Sequence, residues 1–129
     1  MAARDPFQYA LVRVVPRVER GESLNAGVVL FCRPRRYLAA RTWLDTAALA
    51  VLAPACDPGE VQPHLRVVEA VAAGQVDGGG AVAALPQSER FHWLTAPAST
   101  IVQPSPVHTG LTEDPEAQLD HLFATLVAR

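Results

Sequence analysis

The chain reads as an α+β protein, an antiparallel β-meander of about three or four strands with helices packed on it, and three observations carry that reading. Two strongly apolar segments, YALVRVVP and AGVVLFC, flank a short polar turn, as in an antiparallel hairpin. Helix-start signals, an aspartate cap followed by proline, stand at Asp57-Pro58 and Asp114-Pro115, after the strands. The last segment, from Asp114, has apolar residues Leu119, Leu122, Phe123, Leu126 and Val127 at helical spacing, an amphipathic C-terminal helix. Strands first and helices later define the class.

Residues 7–17 form the first expected strand. Apolar side chains fall at both parities, Tyr9/Leu11/Val15 and Ala10/Val12/Val14, which places the strand inside a sheet covered on both faces. Residues 18–25 form the connection, where Gly21 is free to take positive φ. A second strand covers 26–33, Pro34-Arg35-Arg36 turns the chain, and 37–43 adds a third strand. Thr46 is the expected cap of a short helix through Leu52. Asp57-Pro58-Gly59-Glu60 opens a longer helix with Val61, Leu65, Val68 and Ala72 on one face, and Gly74 ends it. Residues 75–84, with Gly78-Gly79-Gly80, read as a flexible glycine-rich loop. They lack the Lys-Ser/Thr of a phosphate-binding loop. Ser88–Leu94 is a short helix, Ser99–Gln103 a returning strand, and Pro104-Ser105-Pro106 irregular. No repeat or linker divides the 129 residues, so one domain spanning 1–129 is expected.

Composition excludes several function classes. Half of the residues are hydrophobic and the formal net charge is -2, which argues against general nucleic-acid binding. No stretch approaches the roughly 20 apolar residues of a membrane span. The opening MAARDPFQY lacks the apolar run of a secretory leader, and a cytoplasmic location is the expectation. Cys32 and Cys56 are isolated and have no metal-ligand spacing; reduced thiols without a metal or cofactor follow. Lysine is absent, a bias that a GC-rich genome explains. Residues 1–41 carry a balance of +5 and residues 42–129 a balance of -7, consistent with a basic sheet packed on acidic helices.

Two clusters could carry chemistry. In the connection, Arg20 is suited to an anion, and Glu22 and Asn25 are close enough to converge on one ligand; alternatively, Glu22 and Asn25 brace a long turn. Arg13, in line with Leu11 and Val15, has a head group that needs a carboxylate partner or a ligand if buried. The second cluster, Ser88 to Gly110, collects Arg90, His92, Ser99, Thr100, Gln103, Ser105, His108 and Thr109 beside a strand end. It is either a pocket lining or a loop braced by side-chain-to-backbone bonds. Ser105 and His108 have no nucleophile-elbow context. His64 and His121 have no partner at metal-ligand spacing.

The segments YALVRVVPRVERGESLNAGVVLF and ERFHWLTAPASTIVQPSPVHTGLTEDP, with the C-terminal helix, resemble the bacterial family grouped as domain of unknown function 3037 (DUF3037). The matching positions are Arg20, Gly21, Glu22, Asn25, Gly27, Arg90, Phe91, Gln103, Ser105, His108 and Gly110. The resemblance implies no established activity. It implies a gene neighbourhood shared with a HipA-like kinase, and Arg90 and His108 as the best positions for holding an anion. Three functions therefore compete. The first is a small non-catalytic partner or adaptor protein, of a HipA-like kinase in the family reading, docking through the arginine-rich hairpin. The second is an enzyme or sensor for a phosphorylated or carboxylate ligand. The third and weakest is a nucleic-acid module using Arg33, Arg35, Arg36 and Arg41. An open apolar sheet also makes a homodimer an expectation.

Overall fold

The computed structural model describes residues 3–129. The meander is present: β1 (Asp5–Val14), β2 (Leu24–Cys32) and β3 (Tyr37–Thr42) are antiparallel neighbours. One-turn 3-10 helices, Val18–Arg20 and Arg33–Arg35, fill the two connections. Gly21 at φ 70° and Arg36 at φ 51° follow them in the left-handed region, at the two points where the chain reverses.

The far edge of β1 holds two strands where a single returning one is expected. β4 (Val102–Pro104) pairs with Val12–Val14, and β5 (His108–Thr112) pairs with Asp5–Tyr9. Residues 108–112, for which the sequence predicts no element, are therefore a strand. Alternation is poor there, with four of five residues partly or fully exposed, so nothing local signals pairing.

β2 is buried at every position but Asn25, for two reasons. It lies inside the sheet, and a bulge interrupts its alternation: Val12 faces Gly27 and Arg13 faces Asn25, leaving Ala26 unmatched. Leu24 and Ala26 before the bulge and Val29 and Phe31 after it thus reach the same core. That core is closed by α1 (Thr46–Leu52), α2 (Pro58–Ala73) and α4 (Gln87–Thr95) through Leu49, Val61, Leu65, Val71, Phe91 and Leu94. The opposite face carries Phe7, Val28, Leu30 and Cys32, which α5 (Pro115–Leu126) covers with Leu119 and, beyond its end, Val127. α5 lies over β2 and β3. There Arg41 pairs with Asp120 and stacks 4.4 Å from the centre of the Phe123 ring.

Helix starts follow the sequence with one correction. Asp57 and Asp114 cap α2 and α5 as expected, accepting from the N–H of Gly59 at 2.9 Å and of Ala117 at 3.1 Å. The cap of α1 is Asp45, not Thr46; its carboxylate accepts from the N–H of Ala48 at 3.0 Å, while Thr46 is the first helical residue. The glycine-rich segment, expected as a loop, instead makes a helical turn α3 (Val76–Gly79) and a 3-10 turn (Ala81–Ala84) against α2. Burial of Ala83 drives this, and Gly79 permits it: a Cβ there would come 2.9 Å from Ala83 Cβ and 3.2 Å from the backbone of Val71. No helix among the described residues is long and apolar enough to cross a membrane.

Candidate functional site

The sheet brings parts of the two polar clusters together and separates the rest. Arg13 on β1 lies between Asn25 on β2 and Gln103 on β4, one row across three strands. The row is already engaged with the backbone. Asn25 donates Nδ2–H to the carbonyl of Leu126 at 3.2 Å, fastening the end of α5, and Gln103 donates Nε2–H to the carbonyl of Thr100 at 2.9 Å. Arg13 is half-buried and, among the described residues, has no carboxylate partner, contrary to the expectation of an ion pair.

Arg20 and Glu22 pair with each other on the exposed connection, and Arg17 pairs with Glu19 at 3.1 Å. The backbone and Arg17 both hold the Glu19 carboxyl below its usual range. Glu22 thus serves the turn by neutralising Arg20.

Arg90 lies on the other face of the sheet and binds carbonyls. Its Nε–H donates to Leu85 at 2.9 Å, and Nη1 donates to Val71 at 3.0 Å and Ala72 at 2.9 Å. Val71 and Ala72 end α2, where the last carbonyls carry the negative end of the helix dipole; the Val71 carbonyl also accepts from the N–H of Gly74 at 3.1 Å. A cation with several fixed donors suits that position, and Gly74 leaves room for it: a Cβ at residue 74 would come 3.1 Å from Nη1.

Ser105, 3% exposed, sits where β4 hands over to β5. Its N–H donates to the carbonyl of Leu11 at 2.9 Å, and its Oγ accepts from the N–H of Leu11 at 2.8 Å and donates to the carbonyl of Pro106 at 2.9 Å. The hydroxyl replaces a backbone acceptor that the kinked edge cannot provide. His108 stacks on Tyr9, ring centres 5.2 Å apart, and stays exposed. Among the described residues no hydrogen bond joins Ser105 to His108. Gly110 is needed by the Phe7 ring, whose Cε1 would lie 2.7 Å from a Cβ. No group of His, Cys, Asp and Glu among the described residues could hold a metal.

A cleft of about 390 Å³ opens elsewhere, between α2, the segment after α4, and β4. Val12, Val67, Val68, Leu94 and Val102 form its apolar wall, Trp93 stands 49% exposed, and His64, Thr100 and Gln103 supply the polar groups. Of the residues in the second polar cluster, Thr100 and Gln103 reach it. Trp93 was missed, although a tryptophan on a short helix beside Leu94 is the signal that could have found it.

Fold and geometry thus define an α+β protein in which Asn25, Arg90, Gln103 and Ser105 bond to the backbone. The chain belongs to the family described as "Protein of unknown function (DUF3037)", whose model matches residues 9–127. No curated protein and no solved structure matches the chain.

Proposed function

We propose that the protein is a small non-catalytic binding protein that docks a partner through the apolar cleft beside Trp93. The cleft carries this reading: it combines aliphatic walls with a half-exposed tryptophan, the residue type most enriched at energetic centres of interfaces. The occupant is a protein partner presenting an apolar anchor side chain; in the family reading it is a HipA-like kinase in the cytoplasm. The cleft is favoured over the arginine-rich hairpin because Arg17 and Arg20 are neutralised by Glu19 and Glu22. The alternative, an enzyme or sensor built from Arg20, Glu22, Arg90, Gln103, Ser105 and His108, loses support because these groups lie apart and are mostly committed to structural bonds. Self-association through the β5 edge, where Leu111 is 61% exposed, is a further proposal; light scattering at 13.8 kDa would refute it.

The test is affinity purification of the tagged protein from its host, in parallel with Trp93→Ala. Stoichiometric recovery of a kinase with the parent chain, lost in the variant, is the expected outcome. Recovery of the chain alone, or equal recovery with both, overturns the reading.

A further inference from the structure

Arginine bookkeeping points to a second place. Among the described residues, Arg4, Arg17, Arg20, Arg35, Arg41 and Arg129 form ion pairs, and Arg90 holds carbonyls. Arg13, Arg33, Arg36 and Arg66 have no carboxylate within 4.0 Å, and of these Arg33 and Arg36 line one groove, between the β2–β3 connection and α4. The connection brings them together. Arg36 donates its N–H to the Arg33 carbonyl at 3.1 Å and ends the Arg33–Arg35 turn in the left-handed conformation, and both residues line the same depression. Arg35 turns to Asp5 at 2.6 Å.

α4 supplies the other wall. Ser88, His92 and Thr95 recur at i, i+4 and i+7, one stripe facing Arg33. Phe91 on the adjacent row is buried against Phe31, rings 5.3 Å apart, and makes the floor. Gln87 locks the two walls together by donating Nε2–H to the Arg36 carbonyl at 2.8 Å. Arg36 itself is the one non-glycine residue with positive φ among the described residues. Such a conformation is strained and persists where the surroundings enforce it, often at ligand sites. The groove comprises two adjoining depressions of about 300 and 240 Å³ that share Phe31, Arg33 and Ser88. No Asp or Glu is among the residues lining it.

We propose that Arg33 and Arg36, with Ser88 and His92, bind a phosphate group, free or carried as a monoester. Two guanidiniums, a hydroxyl and an imidazole offer more donors than a carboxylate's two oxygens can use. They suit three phosphate oxygens bearing about -1.5 to -2 charge. The site is separate from the apolar cleft and independent of the docking reading.

The test is a ¹⁵N-resolved NMR titration of the full chain with inorganic phosphate, O-phosphoserine and succinate at constant ionic strength. Saturable shifts confined to the Arg33–Arg36 turn and the first two turns of α4 are expected. Arg33→Gln with Arg36→Asn, the latter tolerant of positive φ, should weaken binding by on the order of tenfold or more, the worth of one lost charge-assisted contact. Both side chains are exposed, so the spectrum elsewhere should not change; Arg33→Gln alone serves if the double variant unfolds. Tighter O-phosphoserine binding identifies a monoester ligand, and equal binding identifies free phosphate. Unsaturable shifts, saturation unaltered in the variants, or equal binding of succinate would overturn the proposal.

Discussion

Replacing Arg90 separates a structural role from a ligand-binding one. In Arg90→Ala three charge-assisted hydrogen bonds disappear, to Val71 and Ala72 at the end of α2 and to Leu85. Such bonds are worth roughly 1.5–3 kcal/mol each where the partner left behind stays dry. The Leu85 bond is exposed, and water can reach the α2 carbonyls once the side chain is gone, so the simple sum overstates the loss. A net cost of about 2–4 kcal/mol follows, including the favourable cation at a helix C-terminus. For a domain of this size that lowers the melting temperature by roughly 10 °C. Urea denaturation followed by circular dichroism gives the free energy directly, with an unchanged m-value expected. Arg90→Lys should recover less than half, because an ammonium cannot present the fixed fork of donors that spans three carbonyls. A loss within about 0.5 kcal/mol of the parent in Arg90→Ala, the ordinary range for a surface substitution, would refute the reasoning. So would a lysine variant as stable as the parent, which would show that charge alone is needed.

Three further outcomes follow from the same geometry. Ser105→Ala should cost about 1–3 kcal/mol by leaving the Leu11 N–H without its acceptor, and hydrogen exchange at Leu11 should accelerate; unchanged exchange would contradict the role given to the hydroxyl. Gly110→Ala should cost about 1–3 kcal/mol because the Phe7 ring must move, and Phe7→Leu in that background should restore part of the loss; additive losses would argue against the clash. Burial first, and then the Glu60 and Asp57 carboxylates, push the Cys56 thiol up, so it stays protonated at neutral pH. Its alkylation rate should climb only above the ordinary thiol range, and Glu60→Gln should shift that climb to lower pH; fast labelling at neutral pH would be inconsistent with the burial.

Local chemistry made most elements legible from the residues. The Asp57-Pro58 and Asp114-Pro115 pairs announce helix starts because their carboxylates satisfy N–H groups only two or three residues on. The Leu119–Val127 spacing marks α5, and apolar runs at both parities mark β1 and β2 as strands covered on two faces. These signals depend on neighbours in sequence, so no tertiary contact is needed to read them. The candidate polar residues were legible as polar and special, but not as to their purpose. Asn25, Arg90 and Ser105 bond to backbone groups 101, 18 or 19, and 94 residues away, and the sequence carries no sign of those partners.

Tertiary packing alone decided the rest. The bulge at Ala26, the split of the returning edge into β4 and β5, and the turns of the glycine-rich segment against α2 each answer a demand set by a distant surface. The same holds for the two recesses. Trp93 opens a cleft only because α2 and β4 lie beside it, and Arg33 meets Ser88 only because Phe31 packs on Phe91. Helix caps and periodicity are properties of a few consecutive residues. A groove is a property of surfaces that meet only after the sheet has chosen which helices cover it.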